Sequence, residues 1–321
     1  MTQTIRFIAG DWGTSNLRLY LCEYNRHGRR EHNSNAAARI LDTRFGPGIS
    51  KIDDDFEDIF FNLTQAWLDQ WGLLPVLLSG MVGSTIGWKD TPYLRCPVDA
   101  AQIASGRVRF EARGISFSIL CGLRTQNPLG APDIMRGEEL QMLGWLRQQN
   151  QANGKQLFAL PGTHNKWVLV ENGRIANFLT AFTGELFSLL KNNSILITDK
   201  DSPNVRKSAF LEGVQAIERL GDAHLLHALF ATRSKQVLGE TESADAPSFL
   251  SGLIIGADVI GAIKLFEDVD SVTIIGEPAL TTNYQLALEY LKVTSQSCDP
   301  SEIAISGYHA IFEHLIEQGQ I

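Results

Sequence analysis

Residues Arg6 to Leu21 constrain this chain more than any other segment. Two apolar, strand-like runs flank the turn Asp11-Trp12-Gly13-Thr14-Ser15-Asn16, which opens with a carboxylate and continues through glycine and hydroxyl residues. Small residues in such a turn let backbone N–H groups converge on anionic oxygens, and Thr14, Ser15 and Asn16 add polar side chains. Asp11 suits a hydrated Mg²⁺ beside them, and Arg18 brings a positive charge close by. The turn is neither G-x-G-x-x-G nor G-x-x-x-x-G-K-[ST], and a strand rather than a helix follows it, so Rossmann and P-loop sites are excluded. An ordinary hairpin, with Asp11 and Asn16 serving only turn geometry, is the alternative for this segment alone.

The same logic recurs at Phe158 to Val170, where apolar runs flank Pro161-Gly162-Thr163-His164. A second hairpin predicts a second domain, with Gly162, Thr163 and His164 as further phosphate contacts. Between the two lies Asp133-Ile134-Met135-Arg136-Gly137-Glu138-Glu139, a glycine followed by carboxylates opening an apolar-periodic helix. Acidic residues are common in a first helical turn. A carboxylate between two nucleotide hairpins is also placed to accept a hydroxyl proton during phosphoryl transfer.

Nearly end to end, the chain resembles the 2-dehydro-3-deoxygalactonokinases. The residues that carry the likeness are Asp11 to Arg18, Ser79 to Ser84 with Gly87-Trp88-Lys89, Met135 to Glu139, and Pro161 to His164 with Lys166-Trp167. Thr183 to Leu186 and Phe249 to Ala257 complete the set. The resemblance implies an α/β fold of two ribonuclease H-like domains, the sugar kinase/Hsp70/actin architecture, with an ATP cleft between them. It implies ATP and Mg²⁺ as cofactors and a terminal hydroxyl of 2-keto-3-deoxy-galactonate as acceptor. Similarity to the wider carbohydrate kinases, whose catalytic segment is Gly-Asp-Gln, makes Glu138 in Gly137-Glu138-Glu139 the expected base. Glu139 is its reserve and Asp133 a further candidate. In the same superfamily a strand-glycine-helix unit cradles adenosine, which points to Gly276 and Glu277 after the apolar run Ser271 to Ile275.

The expected division is 1–136, with the first hairpin and the substrate, and 137–321, with the second hairpin and adenosine. Residues 54–72 show helical spacing of apolar residues at Phe56, Ile59, Phe60, Leu63, Trp67 and Trp71, a core-facing stripe. The run Pro75 to Gly80 reads as a buried strand ending at a cleft edge, so Gly80 to Lys89 is the expected substrate loop. Within it Gly80 and Met81 lie at the edge, Ser84, Thr85 and Lys89 offer donors, and Trp88 offers an apolar wall. Arg136 or Lys89 would meet the substrate carboxylate, for which an Arg fork is best suited.

A net charge of −8 over 321 residues argues against nucleic acid and acidic membranes as partners. The four cysteines, Cys22, Cys96, Cys121 and Cys298, are scattered without C-x-x-C spacing, which favours reduced thiols and a cytoplasmic enzyme. The N-terminus enters a strand almost directly, without the pattern of a signal peptide. The longest apolar run, Phe249 to Phe266, contains Asp258 and Lys264 and fits a buried helix better than a membrane span. A homo-oligomer is compatible with these features. Three rivals stand beside the expected kinase: one for another sugar acid, a hydrolase in which Glu138 activates water, and an ATP-gated binding protein.

Overall fold

The structure, a computed structural model, describes residues 4–25, 38–52, 55–149, 154–200, 206–221 and 224–320. The first half runs β1 (Thr4–Trp12), β2 (Asn16–Asn25), β3 (Ala38–Pro47), α1 (Phe56–Trp71), β4 (Val76–Ser79) and β5 (Tyr93–Arg95). It continues through α2 (Ala100–Gly106), β6 (Val108–Ala112), β7 (Ile115–Ile119), β8 (Gly122–Gln126) and β9 (Pro132–Met135). Then follow α3 (Glu138–Gln148), β10 (Lys155–Leu160), β11 (Asn165–Glu171), β12 (Arg174–Ala181) and the helices α4 (Thr183–Asn193), α5 (Lys207–Leu220), α6 (Leu225–Val237) and α7 (Ala246–Leu265). The chain closes with β13 (Ser271–Ile275), α8 (Pro278–Tyr290), β14 (Thr294–Cys298) and α9 (Pro300–Glu317).

One topology is used twice. The first sheet has the order β3-β2-β1-β4-β7-β6 and the second β12-β11-β10-β13-β14. In each, the first three strands form an antiparallel meander, and two later strands add in parallel on the other side of the opening strand. This is the ribonuclease H-like order, duplicated, and it is the two-domain architecture of sugar kinases, Hsp70 and actin. A small third sheet, β5-β8-β9, is attached to the first half.

The opening strand of each sheet is apolar on both faces because both faces are covered. In β1, Phe7 and Ala9 enter one core while Ile8 enters another with Phe60, Phe61 and Trp67 of α1. In β10, Phe158 joins the same core as Phe7, and Leu157 and Ala159 join a third core under α5, α7 and α8. The shared core holds α3 and α9: Trp145 of α3 meets Phe158 edge-on, and Phe312 of α9 stacks on Phe7 at 3.8 Å. The two helices cross backbone to backbone. A Cβ on Gly144 would lie 1.8 Å from the Ile303 carbonyl oxygen, and one on Gly307 would lie 2.1 Å from that of Leu140. Any side chain at either position would push the halves apart.

The helix expected over 54–72 is α1, with Asp54 itself outside the described residues. Asp55 caps it by accepting from the Glu57 amide. Of the inward stripe read in the sequence, Phe60 and Trp67 are buried and Phe56, Ile59 and Leu63 pack against the same core, while Phe61 and Thr64 join it and Trp71 is exposed with Arg6 over its ring at 3.8 Å. Helix α7 is long and apolar enough to cross a membrane, but most of its residues are buried inside the fold.

Candidate active site

Both hairpin turns open into one cavity of about 510 Å³ between the halves. The first contributes Gly13, Thr14 and Arg18, and the second contributes Gly162, Thr163, His164 and Lys166. Met81, Tyr93, Arg136, Glu138, Gly276 and Glu277 complete the parts relevant to chemistry. Ser15 and Asn16 are exposed at the hairpin tip and do not line it. The first turn is fixed by backbone: the amides of Ile49 and Ser50 donate to the carbonyls of Gly13 and Thr14, both at 3.0 Å. Gly48 is what lets the chain come this close, since a Cβ there would lie 2.2 Å from the Ser15 carbonyl carbon.

Asp11 ends β1 opposite Arg18 in the antiparallel ladder and faces Gly80, whose added Cβ would lie 3.1 Å from Oδ1. Burial and, to a lesser degree, the nearby Glu138 charge push its carboxyl up to about 6, against the pull of Arg18. Among the described residues no three His, Cys, Asp or Glu side chains cluster as a metal cage. Asp11 is not among the residues that line the cavity, though Arg18 opposite it is; a Mg²⁺ carried by phosphates needs only one or two protein carboxylates, which is as much as Asp11 can offer.

The three carboxylates named as bases are separated by the fold. Glu138, at the start of α3, reaches the cavity, and its Oε1 lies 3.2 Å from Lys166 Nζ while Oε2 accepts from the Arg136 amide at 3.1 Å. Glu139 points the other way, fully buried, with Oε2 accepting from the Gly137 amide at 2.7 Å. Burial first, then the Glu138 charge, pushes Glu139 up to about 8. Asp133 clamps β9 to β12, accepting from the amide and hydroxyl of Thr180 at 2.8 and 2.7 Å. Arg136 is held by Thr91: its guanidinium donates to the Thr91 hydroxyl and, at 2.8 Å, to the Thr91 carbonyl, and it stacks on Tyr93 at 4.4 Å. Its Nε is buried without a hydrogen-bond partner.

Of the expected substrate loop, Met81 lines the cavity and Gly80 sits beside Asp11. Ser84, Trp88 and Lys89 are not among the lining residues. The Ser84 hydroxyl donates to the Met81 carbonyl at 2.7 Å. Trp88 packs among Trp12, Phe60, Phe110 and Phe117, and Lys89 lies over the Phe110 ring at 5.5 Å.

The second turn is fixed by side chains and by α4. His164 pairs with Glu185 at 2.6 Å and stacks on Phe182, and the Glu185 amide donates to the Thr163 carbonyl at 2.9 Å. Gly184 permits this, because a Cβ there would lie 2.3 Å from the Gly162 carbonyl oxygen. The segment Thr183-Gly184-Glu185, noticed in the sequence only through resemblance, is thus the buttress of the second turn. Behind the turn, the buried Asp258 accepts from Asn165 at 2.7 Å, Trp167 at 2.8 Å and Tyr284 at 2.5 Å. Burial holds its carboxyl up at about 6 despite these three donors.

A second cavity of about 260 Å³ adjoins the second turn, sharing Pro161 and Gly162 with the first. Its walls are Phe187 of α4, Ser251, Ile254 and Ile255 of α7, and Leu280, Asn283 and Tyr284 of α8. A mostly apolar slot with a few polar groups beside a phosphate turn suits a nucleoside. Gly276 and Glu277 line the larger cavity rather than this slot, and Glu277 reaches Arg18 at 3.5 Å across the mouth. The slot's walls come from three helices distant in sequence. Its only sequence signals are the glycine-spaced block Phe249 to Ala257 and the strand-glycine-helix unit before α8.

The family model described as 2-keto-3-deoxy-galactonokinase matches residues 11–311. The curated protein named probable 2-dehydro-3-deoxygalactonokinase DgoK1, from Rhizobium meliloti (strain 1021), is 32% identical over 313 residues, 97% of each chain. The 2-dehydro-3-deoxygalactonokinase of Escherichia coli (strain K12) is 30% identical over 301 residues, 94% of each chain. The crystal structure of a putative 2-dehydro-3-deoxygalactonokinase protein from Sinorhizobium meliloti superposes with a TM-score of 0.81 at 30% identity, covering 96% of each chain. With two facing Gly-Thr turns, a carboxylate at the start of the crossing helix and matches over nearly its whole length, the chain belongs to the 2-keto-3-deoxy-galactonokinase family of carbohydrate kinases.

Proposed function

We propose that this protein transfers the γ-phosphoryl group of ATP to the terminal hydroxyl of 2-dehydro-3-deoxygalactonate, with Glu138 as general base. The observation that carries the reading is the meeting of Glu138 with both hairpin turns in one cavity. The nucleoside lies in the slot bounded by α4, α7 and α8, and the phosphates lie on Gly13-Thr14 and Gly162-Thr163. Asp11 would hold Mg²⁺, which offsets the charge of the phosphate oxygens when bound. The sugar acid occupies the side lined by Met81, Tyr93 and Arg136. Glu138 accepts the hydroxyl proton as that oxygen attacks in line, while Arg18 and Thr163 steady the transferring group. Closure about the α3–α9 crossing excludes water that would otherwise take the phosphoryl group.

On this reading, 1–136 supplies the first turn and the substrate side, and 137–321 supplies the second turn and the nucleoside slot, with α9 reaching back to the first sheet. The partner is a small sugar acid and the setting is the cytoplasm, consistent with free cysteines at all four positions.

The test is ADP release with Mg-ATP and no acceptor, 2-dehydro-3-deoxygalactonate, its gluconate-derived epimer or simple hexoses. The expected result is turnover only with the galactonate-derived acid, reduced about 10²–10⁴-fold in Glu138→Gln. Equal ADP release without acceptor would make the protein a hydrolase or gated binder.

A further inference from the structure

Lys166 is the most buried cation in the cavity, with its side chain only 6% exposed. It lies three residues after Thr163 of the second turn, pairs with Leu160 in the β10–β11 ladder, and reaches the first residue of α3. Its ammonium lies 3.2 Å from Glu138 Oε1 and 3.2 Å from the His164 carbonyl oxygen. An ammonium has three N–H donors, and these contacts use two. A lysine is costly to bury unless its charge is paired, and the pairing here is with the cavity-lining carboxylate proposed as the base. A purely structural ion pair would not need a place on the cavity wall between Thr163 and the carboxylate.

We propose that Lys166 is a catalytic residue, the cation that contacts the γ-phosphoryl oxygens during transfer. The inference rests on Glu138 being the base. A base must come within about 3 Å of the attacking oxygen, and that oxygen bonds to the γ-phosphorus. A cation in contact with the base is therefore within one further contact of the equatorial phosphoryl oxygens. In the transfer, the acceptor oxygen forms its bond to phosphorus, its proton passes to Glu138, and the bond to the β–γ bridging oxygen breaks. The electron pair of that bond leaves with ADP. Lys166 loses and gains no proton; it offsets charge on the oxygens in flight, a compact charge fixed before the reaction begins.

The test uses the whole enzyme and compares a non-hydrolysable ATP analogue with ADP. Lys166→Met is expected to lower kcat about 10²–10³-fold, as loss of one preorganised donor does, with KM for the sugar acid changed less than about threefold. Analogue binding should weaken about tenfold while ADP binding is unchanged, because only the analogue carries the third phosphate. Equal weakening of both nucleotides, or a kcat within about threefold of the parent, overturns the proposal. If Lys166→Met does not fold, Lys166→Gln carries the same comparison, keeping a donor towards Glu138 without the charge. Glu138→Gln in parallel separates the two ideas: full turnover there sinks the base assignment, whereas the analogue-to-ADP ratio of the lysine variant still decides Lys166.

Discussion

The two hairpins share the pattern Gly-Thr-x-Asn, Gly13 to Asn16 and Gly162 to Asn165, yet they are held and equipped differently. Two residues before the glycine, the first has Asp11 and the second has Leu160. The first turn is braced by main-chain bonds from Ile49 and Ser50, and its Asn16 is exposed. The second is braced by α4 and by Asp258, and its Asn165 is buried with no exposure. A duplicated fold has thus equipped its turns differently: a carboxylate beside an exposed, main-chain-braced loop at the first, a buried side-chain-braced shelf at the second. The cations follow the same division, for Arg18 is 39% exposed at the mouth while Lys166 is enclosed.

The sharpest way to break this comparison is to exchange the acids. Asp11→Asn is expected to reduce kcat by about 10³-fold, since on the proposed mechanism this carboxylate beside Gly80, opposite Arg18, is the Mg²⁺ ligand. Leu160→Asn, which puts a polar group at the matching place in the second turn, should cost stability and leave kcat within about tenfold. Steady-state rates across a Mg²⁺ titration check both. Comparable losses would mean that the two turns are catalytically equivalent.

Next in size is the shelf behind the second turn. Asp258→Ala leaves the donors of Asn165, Trp167 and Tyr284 without their acceptor, and should cost about 2–4 kcal/mol in denaturant unfolding. The wild type carries a pH signature from the same group. Its folded carboxyl is raised from 3.8 to about 6, so the folded state holds a proton that the unfolded state has released. Asp258 therefore makes stability fall as pH rises from about 4 to about 6, contributing roughly 1.4 kcal/mol per unit beside the same-signed shares of Asp11 and Glu139, and the slope in that window should shrink in the alanine variant. An unchanged slope would mean that other groups govern it.

The turns themselves were legible in the sequence because strand alternation and glycine-hydroxyl turns are local patterns. The Glu138 position was legible for a similar reason, a glycine and an acidic first turn at the head of an apolar-periodic helix. Side-chain direction was not. Trp88 follows a glycine in the expected substrate loop, which reads as an apolar wall for the sugar acid, yet it packs into an aromatic cluster with α1, β6 and β7. Lys166 reads as one charge in an apolar strand, and only the packing of α3 on the second sheet shows that it meets Glu138. The second cavity was the least visible, because its walls combine residues from 161 to 284 that share no local period.

The smallest expected effect sharpens the contrast between the two cations. Arg18 meets Glu277 at 3.5 Å, but both side chains are substantially exposed, so water and salt screen the pair. Such pairs contribute about 0–1 kcal/mol, so Glu277→Gln should leave the Tm within about 1–2 °C. Its effect should appear in binding instead. With the carboxylate gone, Arg18 is no longer shared between Glu277 and the phosphates, and the like-charge repulsion between Glu277 and ATP disappears as well. KM for ATP should fall about twofold at low ionic strength, and the difference should vanish near 0.5 M salt, where the screening length is only a few ångströms. A KM that rises instead would make Glu277 a nucleotide contact in its own right, as the strand-glycine-helix unit first suggested, and would move the adenosine towards the larger cavity.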